Sequence, residues 1–514
     1  MTTPLLETVQ QQLQDEPLWK LVVAACMVSY GLQSLLAMLM APANRPPFYY
    51  ELPYIPWLGS LVQFAVNPRE LIQRGMVAHK DKNCFTVHLF GTPMTFLTGS
   101  EGLAHFFKAR EHVFDIREAY AMTIITFGPG VCYDCPQSKM AQQFAFFKDG
   151  LSDKSFIKHM ELVQEETLQY FDKHWGKSGE ADILQTLSDL YTLTSSRCLL
   201  GDEIRAQWNE SGMAEHYIAL DHSFVPILFF FPSIPNPHRS KCVTARELFK
   251  EMFQKVIDKR RQAEANDDNY QKPHDFLQVL MEAKYRDGSE LEMQEITGIM
   301  IGVLLGGQHT SNVTGSWLLS HLLREPKWLQ AVMDEQRKLF PDDGEHAIHP
   351  ATLTFDQVNK EMPVMDQVLS ETLRLHPPFF QLSRKVLEDS NFNGITIPKG
   401  NIVNISPSAS MRDPAMWDDP HTFDPTRFAP ENKDKIKQYA WVPFGGGMHQ
   451  CGGRKFAWNS LKVSLTWILR NYEIEIIGKG ANEFPKEDYT TMVVAPTSSH
   501  TRVRFKRREQ VDSI

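Results

Sequence analysis

Leu21 to Met40, LVVAACMVSYGLQSLLAMLM, runs for twenty residues without a charged side chain. At ~1.5 Å of rise per residue a helix of this length crosses ~30 Å of hydrocarbon, so the pattern predicts a transmembrane anchor over 19–41. Glu7, Asp15 and Glu16 precede Lys20, where a cleaved signal peptide needs a basic leader, a shorter apolar run and small residues at a cleavage site. Arg45, Arg69 and Arg74 outnumber Lys20 across the run, and the positive-inside bias therefore places 1–18 in the lumen and the rest in the cytosol. Pro42, Pro46, Pro47, Pro53 and Pro56 cannot continue a helix, which predicts a stiff linker over 42–55 and a body over 56–514.

A second uncharged run, Ile296 to Leu323, is longer still. Its centre reads Gly306-Gly307-Gln308-His309-Thr310-Ser311-Asn312, and that many polar groups facing lipid would each cost several kcal/mol unless paired. The run is predicted to be a helix through the core of a globular domain. Helical periodicity also marks 245–265 and 326–340, while β-rich pieces fall near 85–96 and 395–405. Polar residues over 266–274 and the turn Pro341-Asp342-Asp343-Gly344 read as surface loops. With no internal repeat, the body is expected to be one mostly helical domain with small β-sheets, large for a single unit.

Composition narrows the function. The chain has 514 residues, 42% of them hydrophobic, which excludes a disordered or disulfide-scaffolded class. Its balance of 53 Lys+Arg against 62 Asp+Glu, net -9, argues against nucleic acid as a partner and leaves small molecules as the expected ligands. Arg502, Arg504, Lys506, Arg507 and Arg508 alternate with Val503 and Phe505 as the outward face of a terminal strand would, rather than as a localisation signal. Seven cysteines, an odd number, suit a reducing compartment, and the Cys132-x-x-Cys135 pair lacks two further zinc ligands at comparable spacing.

The densest chemistry lies in Trp441-Val-Pro-Phe444-Gly-Gly-Gly447-Met-His449-Gln-Cys451-Gly-Gly453-Arg454. Glycines on both sides of Cys451 let the backbone turn tightly and approach a flat object closely. Amides of such a loop, at the start of a following helix, can point at the sulfur and stabilise its thiolate. A phosphate loop is excluded, because Arg454 follows the last glycine where Lys-Ser/Thr is required. A haem-iron ligand, a redox thiol and an inert buried cysteine all remain open on the loop alone.

The pattern Phe444-x-x-Gly447-x-His449-x-Cys451-x-Gly453 resembles the haem-binding signature of the cytochrome P-450 monooxygenases. Glu371-Thr372-Leu373-Arg374, a local i, i+3 ion pair by itself, resembles the family's Glu-x-x-Arg, which the arginine of Phe423-Asp-Pro-Thr-Arg427-Phe joins in a buried structural network. Gly306 and Thr310 share a helical face; glycine-assisted helix packing is one account, and in this family the pair makes room for dioxygen beside a proton-relaying hydroxyl. The resemblance implies the cytochrome P-450 fold, with haem b (iron protoporphyrin IX) between the long central helix and the loop of Cys451, the metal ligand. Electrons would come from an NADPH-cytochrome reductase, since no flavin or dinucleotide motif is present. The site would be that of a single-pass endoplasmic reticulum enzyme.

Two stretches resemble the fungal-type sterol 14α-demethylase branch. His309 stands where an acid usually precedes the threonine, and Tyr120 through Phe127-Gly-Pro-Gly130-Val-Cys132-Tyr133 is similar to that branch's substrate-channel region. By carry-over, Thr310 and His309 would act in catalysis, and Tyr120, Tyr133, Arg384 and His449 would contact haem propionates. Gly306, Phe127, Phe379, Phe380 and Val494 would line the substrate cavity, although each aromatic taken singly also suits ordinary core packing. The implied substrate is a sterol or triterpenoid, and the implied outcome for a true demethylase is release of the 14α-methyl as formate. Two departures, Phe144 where the branch has lysine and Phe379-Phe-Gln381-Leu-Ser383 in place of a histidine-containing run, favour as an alternative a paralogue that tailors a steroid-like or terpenoid intermediate in secondary metabolism. Such swaps suffice to redirect specificity, since shape discrimination is worth ~1–3 kcal/mol per methylene-sized difference.

Overall fold

The computed structural model describes residues 20, 23–25, 28–29, 31–32, 44–51, 58–151, 153–208, 212–231, 233–340, 353–491 and 493–508. The luminal segment read over 1–18 lies outside them, as do most of the anchor over 19–41 and part of the linker over 42–55. Among the described residues no helix is long and apolar enough to cross a membrane.

Met293–Leu322 forms the central helix, with Glu292 and Glu295 closing a reciprocal capping box at its start. Burial of 22 of its 30 residues on all sides explains why the sequence carries no amphipathic stripe there. Its first half, from Ile296 to Leu305, packs into an apolar cluster with Arg239–Asn266 and Phe276–Glu282. Its second half, at Leu318, Leu319 and Leu322, enters a different cluster with Asp153–His174, Pro363–Leu375 and Arg454–Asn471. The polar turn at Gly306–Thr310 therefore falls between the parts of the helix that enter the two cores.

Sheets are minor and peripheral. The largest has five strands in the order Cys84–Leu89, Thr92–Leu97, Ile402–Ile405, Leu382–Val386, Phe114–Asp115, with one parallel pairing between the second and third. Arg384 sits opposite Val403 in it. Phe90 and Gly91 both have positive φ, as a tight two-residue hairpin needs. The basic C-terminal segment is strand Arg502–Arg507, paired on both sides. Val503 and Phe505 are buried, Phe505 stacking on Trp175 at 4.1 Å, while Arg502 and Arg504 face outward to Glu180. The segment over 266–274 is a loop as read, and the turn 341–344 lies outside the described residues.

Candidate functional site

Between Trp441 and Gly453 the chain makes a tight hairpin against helix Gly99–Lys108. Gly445 and Gly447 have φ near +68° and +67°, and a Cβ on Gly447 would come within 2.4 Å of the Phe107 carbonyl oxygen. Only glycine is tolerated there. The Cys451 amide donates to the Phe444 carbonyl at 2.9 Å, which fixes the cysteine just before helix Arg454–Asn471. Burial pushes the Cys451 thiol up, and the Gly453 and Arg454 backbone N–H groups together with the Arg454 charge pull it back. Cys451 retains accessible surface although protein surrounds it closely. The other described cysteines are buried free thiols.

The central helix contributes Gly306, which is exposed; a Cβ there would meet nothing within 4 Å. Thr310 Oγ1 donates to the Gly306 carbonyl at 2.7 Å, a local bond that holds the hydroxyl on the open face.

Arg384, Tyr120, Tyr133 and His449 come from four separate segments and meet. The tyrosine rings stack at 5.3 Å, and Tyr120 Oη accepts from the Ser383 amide at 3.4 Å. Arg384 is buried; its guanidinium donates to the Ser383 carbonyl at 3.2 Å and lies over Phe106 at 5.0 Å. Among the described residues it forms no ion pair, and burial lowers its pKa. His449 Nε2 lies 2.8 Å from Glu111 Oε1, too poorly aligned for a hydrogen bond, so both atoms are buried without a hydrogen-bond partner. Burial and then the Arg384 charge lower His449 to about 4, while burial and Asp115 raise Glu111. Phe144 stands edge-on to His449 at 6.4 Å and tilted to Tyr133 at 6.3 Å, where a lysine would have added charge. An unpaired buried cation, two phenols and an enclosed thiol fit a flat iron porphyrin that brings its own carboxylates. Cys451 would hold the iron, with Arg384, Tyr120, Tyr133 and His449 around a propionate. Glu111 was not singled out from the sequence, because 338 positions separate it from His449 and no local pattern links them.

Glu371 and Arg374, at i and i+3 on helix Pro363–Leu375, are both fully buried. The Arg374 guanidinium donates to Glu371 Oε2 at 2.7 Å and Oε1 at 2.8 Å, and to the Met411, Pro420 and Thr422 carbonyls at 2.8, 2.7 and 3.1 Å. Arg427 is the looser member: its Nε is 3.5 Å from Glu371 Oε1 without hydrogen-bond alignment, and its Nη2 donates to the Asp419 carbonyl at 3.0 Å.

His309 pairs with Asp221 on helix Met213–Asp221, Nε2 to Oδ1 at 2.9 Å. Tyr217 Oη, 3.5 Å from the same nitrogen, donates to Gln308 Oε1 at 2.8 Å. Sequence reasoning missed both partners, which lie 88 and 92 residues upstream. Phe127 packs at the wall of the opening: a Cβ on Gly298 would lie 2.1 Å from its carbonyl, and one on Gly302 3.7 Å from its ring. Phe380 stacks edge-on with Phe64 and Tyr489, and Phe379 is exposed. Val494 is buried, its carbonyl accepting from Trp317 Nε1 at 3.1 Å and its amide donating to the Pro378 carbonyl at 2.8 Å. Gln381 Oε1 is buried without a donor.

A mostly helical domain with a glycine-bearing polar turn in its central helix, a cysteine in a glycine loop and a buried arginine beside two tyrosines has the parts of a haem-thiolate enzyme. The family model for cytochrome P-450 matches residues 51–501, and the chain belongs to the cytochrome P-450 family and is a monooxygenase that uses a haem cofactor. It is 37% identical over 88% of its length to the sterol 14-demethylase of Arabidopsis thaliana, covering 90% of that protein. It is 34% identical to the lanosterol 14-alpha demethylase of Cunninghamella elegans, over 92% of this chain and 94% of that one, and 33% identical to the human lanosterol 14-alpha demethylase, over 98% and 96%. In fold it is similar to the retinoic acid-bound cyanobacterial CYP120A1, with a TM-score of 0.75, 24% identity, and coverage of 90% of this chain and 99% of that one.

Proposed function

We propose that this monooxygenase removes the 14α-methyl group of a sterol or closely related triterpenoid. The observation that carries the reading is His309 beside Thr310 on the open turn of the central helix, in a chain whose similarity to 14-demethylases spans nearly all of both lengths. Haem b supplies the oxygen-activating and electron-accepting chemistry when bound. Cys451 would hold its iron, and Arg384, Tyr120, Tyr133 and His449 would contact its propionates. Thr310 would present a hydroxyl that passes protons on the open turn of the central helix, and the adjacent His309 would supply them. Phe127, Phe379, Phe380 and Val494 shape an apolar cavity around the substrate. Glu371, Arg374 and Arg427 keep the proximal loop in place.

An NADPH-cytochrome reductase supplies electrons, and the 19–41 segment anchors the enzyme in the endoplasmic reticulum with 56–514 in the cytosol. In the demethylation, three oxygenations each consume O2, NADPH and a proton, and the last expels formate and leaves a ring double bond. The test is titration of purified enzyme with lanosterol-type sterols, following the Soret band and formate. A low-to-high-spin shift with formate release is expected; no shift and no formate would sink the reading. Thr310→Ala should keep the shift and lose product. A reduced, carbon monoxide-bound spectrum without the red-shifted thiolate band would remove Cys451 as the ligand.

One observation supports a second reading, a paralogue tailoring an oxygenated steroid-like or terpenoid intermediate. Gln381 Oε1 is a buried acceptor with no donor among the described residues, as a site that reads a substrate hydroxyl would leave it. Gln381→Leu should weaken binding of hydroxylated triterpenoids and leave lanosterol unchanged; equal effects on both exclude this role.

A further inference from the structure

Strands Glu487–Asp488 and Ala495–Pro496 pair antiparallel, Glu487 opposite Pro496, and the chain between them carries Tyr489 and Val494. Among the described residues of 481–499 only Pro485, Val494 and Pro496 are buried, and Val494 joins none of the apolar core clusters. With so little apolar area behind it, the position of this hairpin is set by directional polar contacts. They converge on one carboxylate. Glu487, its side chain 8% exposed, accepts from Arg412 Nη2 at 2.6 Å through Oε1 and from Arg69 Nε at 2.8 Å through Oε2, where the Tyr489 hydroxyl also donates. His376 Nδ1 lies 3.3 Å from Oε1. Burial alone would raise the Glu487 carboxyl, yet Arg412, His376 and Arg69 hold it well below the usual carboxylate range.

The partners come from three distant segments. Arg69 lies on helix Pro68–Ala78, Arg412 follows the turn Pro407–Ser410, and His376 ends helix Pro363–Leu375 and stacks on Trp317 of the central helix at 3.8 Å. At the other end of the hairpin Val494 is held by Trp317 and by the Pro378 carbonyl, while Tyr489 packs edge-on against Phe380 at 5.7 Å. We propose that Glu487 is a positioning residue for substrate: its carboxylate ties the hairpin to Arg69, Arg412 and His376, fixes where Val494 and Phe380 stand on the cavity wall, and so sets the size of ligand the cavity accepts. It acts through those two side chains rather than by contact with substrate. No local pattern marks it in the sequence, since 418 positions separate it from Arg69. An amide in its place removes the anion that two guanidinium groups share, and their mutual repulsion then works against the hairpin's seat. The inference rests on the assignment of Phe380 and Val494 to the substrate cavity, but not on the identity of the substrate.

The experiment uses the haem-loaded full chain with Glu487→Gln and, independently, Arg69→Gln, which leaves Glu487 and Arg412 as a balanced pair and so keeps the fold if the first variant loses it. Folding is checked by the reduced carbon monoxide spectrum. Imidazole and N-tritylimidazole both bind ferric haem through a ring nitrogen and are titrated by the Soret shift, so the pair gauges the cavity without any sterol. Affinity for N-tritylimidazole should fall about tenfold in Glu487→Gln and about threefold in Arg69→Gln, with affinity for imidazole at the parent value in both. Hydrogen exchange mapped by mass spectrometry should speed up about tenfold over 487–495 in Glu487→Gln and stay at the parent rate over 366–375. Parent affinity for the bulky ligand in either folded variant overturns the proposal. Equal losses for the two imidazoles overturn it as well, because Glu487 would then serve general stability and not the cavity wall. Failure of every sterol to bind would sink the sterol reading and leave the imidazole result standing.

Discussion

Replacing Arg374 by lysine keeps the charge and removes the fork. The guanidinium makes five hydrogen bonds, two to the Glu371 carboxylate and three to the Met411, Pro420 and Thr422 carbonyls, and lies 5.1 Å over the Trp417 ring. Lysine has three donors on a single nitrogen, so at least two of those acceptors lose their partner in a site with no accessible surface. Each lost charge-assisted bond to a buried group costs ~1.5–3 kcal/mol, which sums to roughly 3–6 kcal/mol, in line with the cost of breaking a buried pair. Removing the fork also leaves Glu371, whose pKa burial already raises, harder to keep ionised. For a domain of ~450 residues the unfolding entropy is ~0.9 kcal/mol/K, so ~4 kcal/mol lowers the thermal midpoint by ~4 °C. The assay is thermal unfolding of Arg374→Lys beside the parent, with haem content from the reduced carbon monoxide spectrum. Because the carbonyls of 411–422 lead into the loop of Cys451, haem content should drop with stability. A midpoint within ~1 °C of the parent with full haem content would refute the reasoning.

Three further outcomes are expected. Gly306→Ala should raise stability by ~1 kcal/mol, since the helix gains propensity and the new Cβ meets nothing within 4 Å, while product formed per O2 falls as the methyl enters the opening. Gly298→Ala should instead destabilise by ~2 kcal/mol and weaken substrate binding, because its Cβ lies 2.1 Å from the Phe127 carbonyl; equal unfolding shifts in the two variants would contradict this. Stability should fall on the acid side through His159, which is buried and lowered to about 4 by burial. A folded pKa below the unfolded ~6.5 contributes stability that is full above ~6.5 and is lost as pH falls toward 4, here about 1 kcal/mol between pH 7 and 5.5. Burial lowers His321 and His376 as well, so they act in the same direction. Thermal midpoints against pH should decline less steeply in His159→Phe than in the parent, and parallel curves would discount the residue.

The amino-acid sequence by itself determined what neighbours along the chain can settle. Glu371 and Arg374 are one helical turn apart, Cys451 carries its own glycines, Gly306 and Thr310 share a face, and Val503 and Phe505 alternate with arginines; in each case backbone periodicity dictates the juxtaposition. It also marked 296–323 as a core helix, since uniform apolarity with a polar centre suits burial and not lipid. Only the tertiary structure decided which distant groups meet. Asp221 and Tyr217 flank His309, Glu111 faces His449, and Arg384 is buried with no ion pair among the described residues. Arg427, expected to join Glu371 and Arg374 in a buried network, has its Nε 3.5 Å from Glu371 Oε1 and out of hydrogen-bond alignment. Such pairings depend on how two apolar cores close around the central helix, and packing of that kind is set by the volume and shape of many side chains at once rather than by any local pattern.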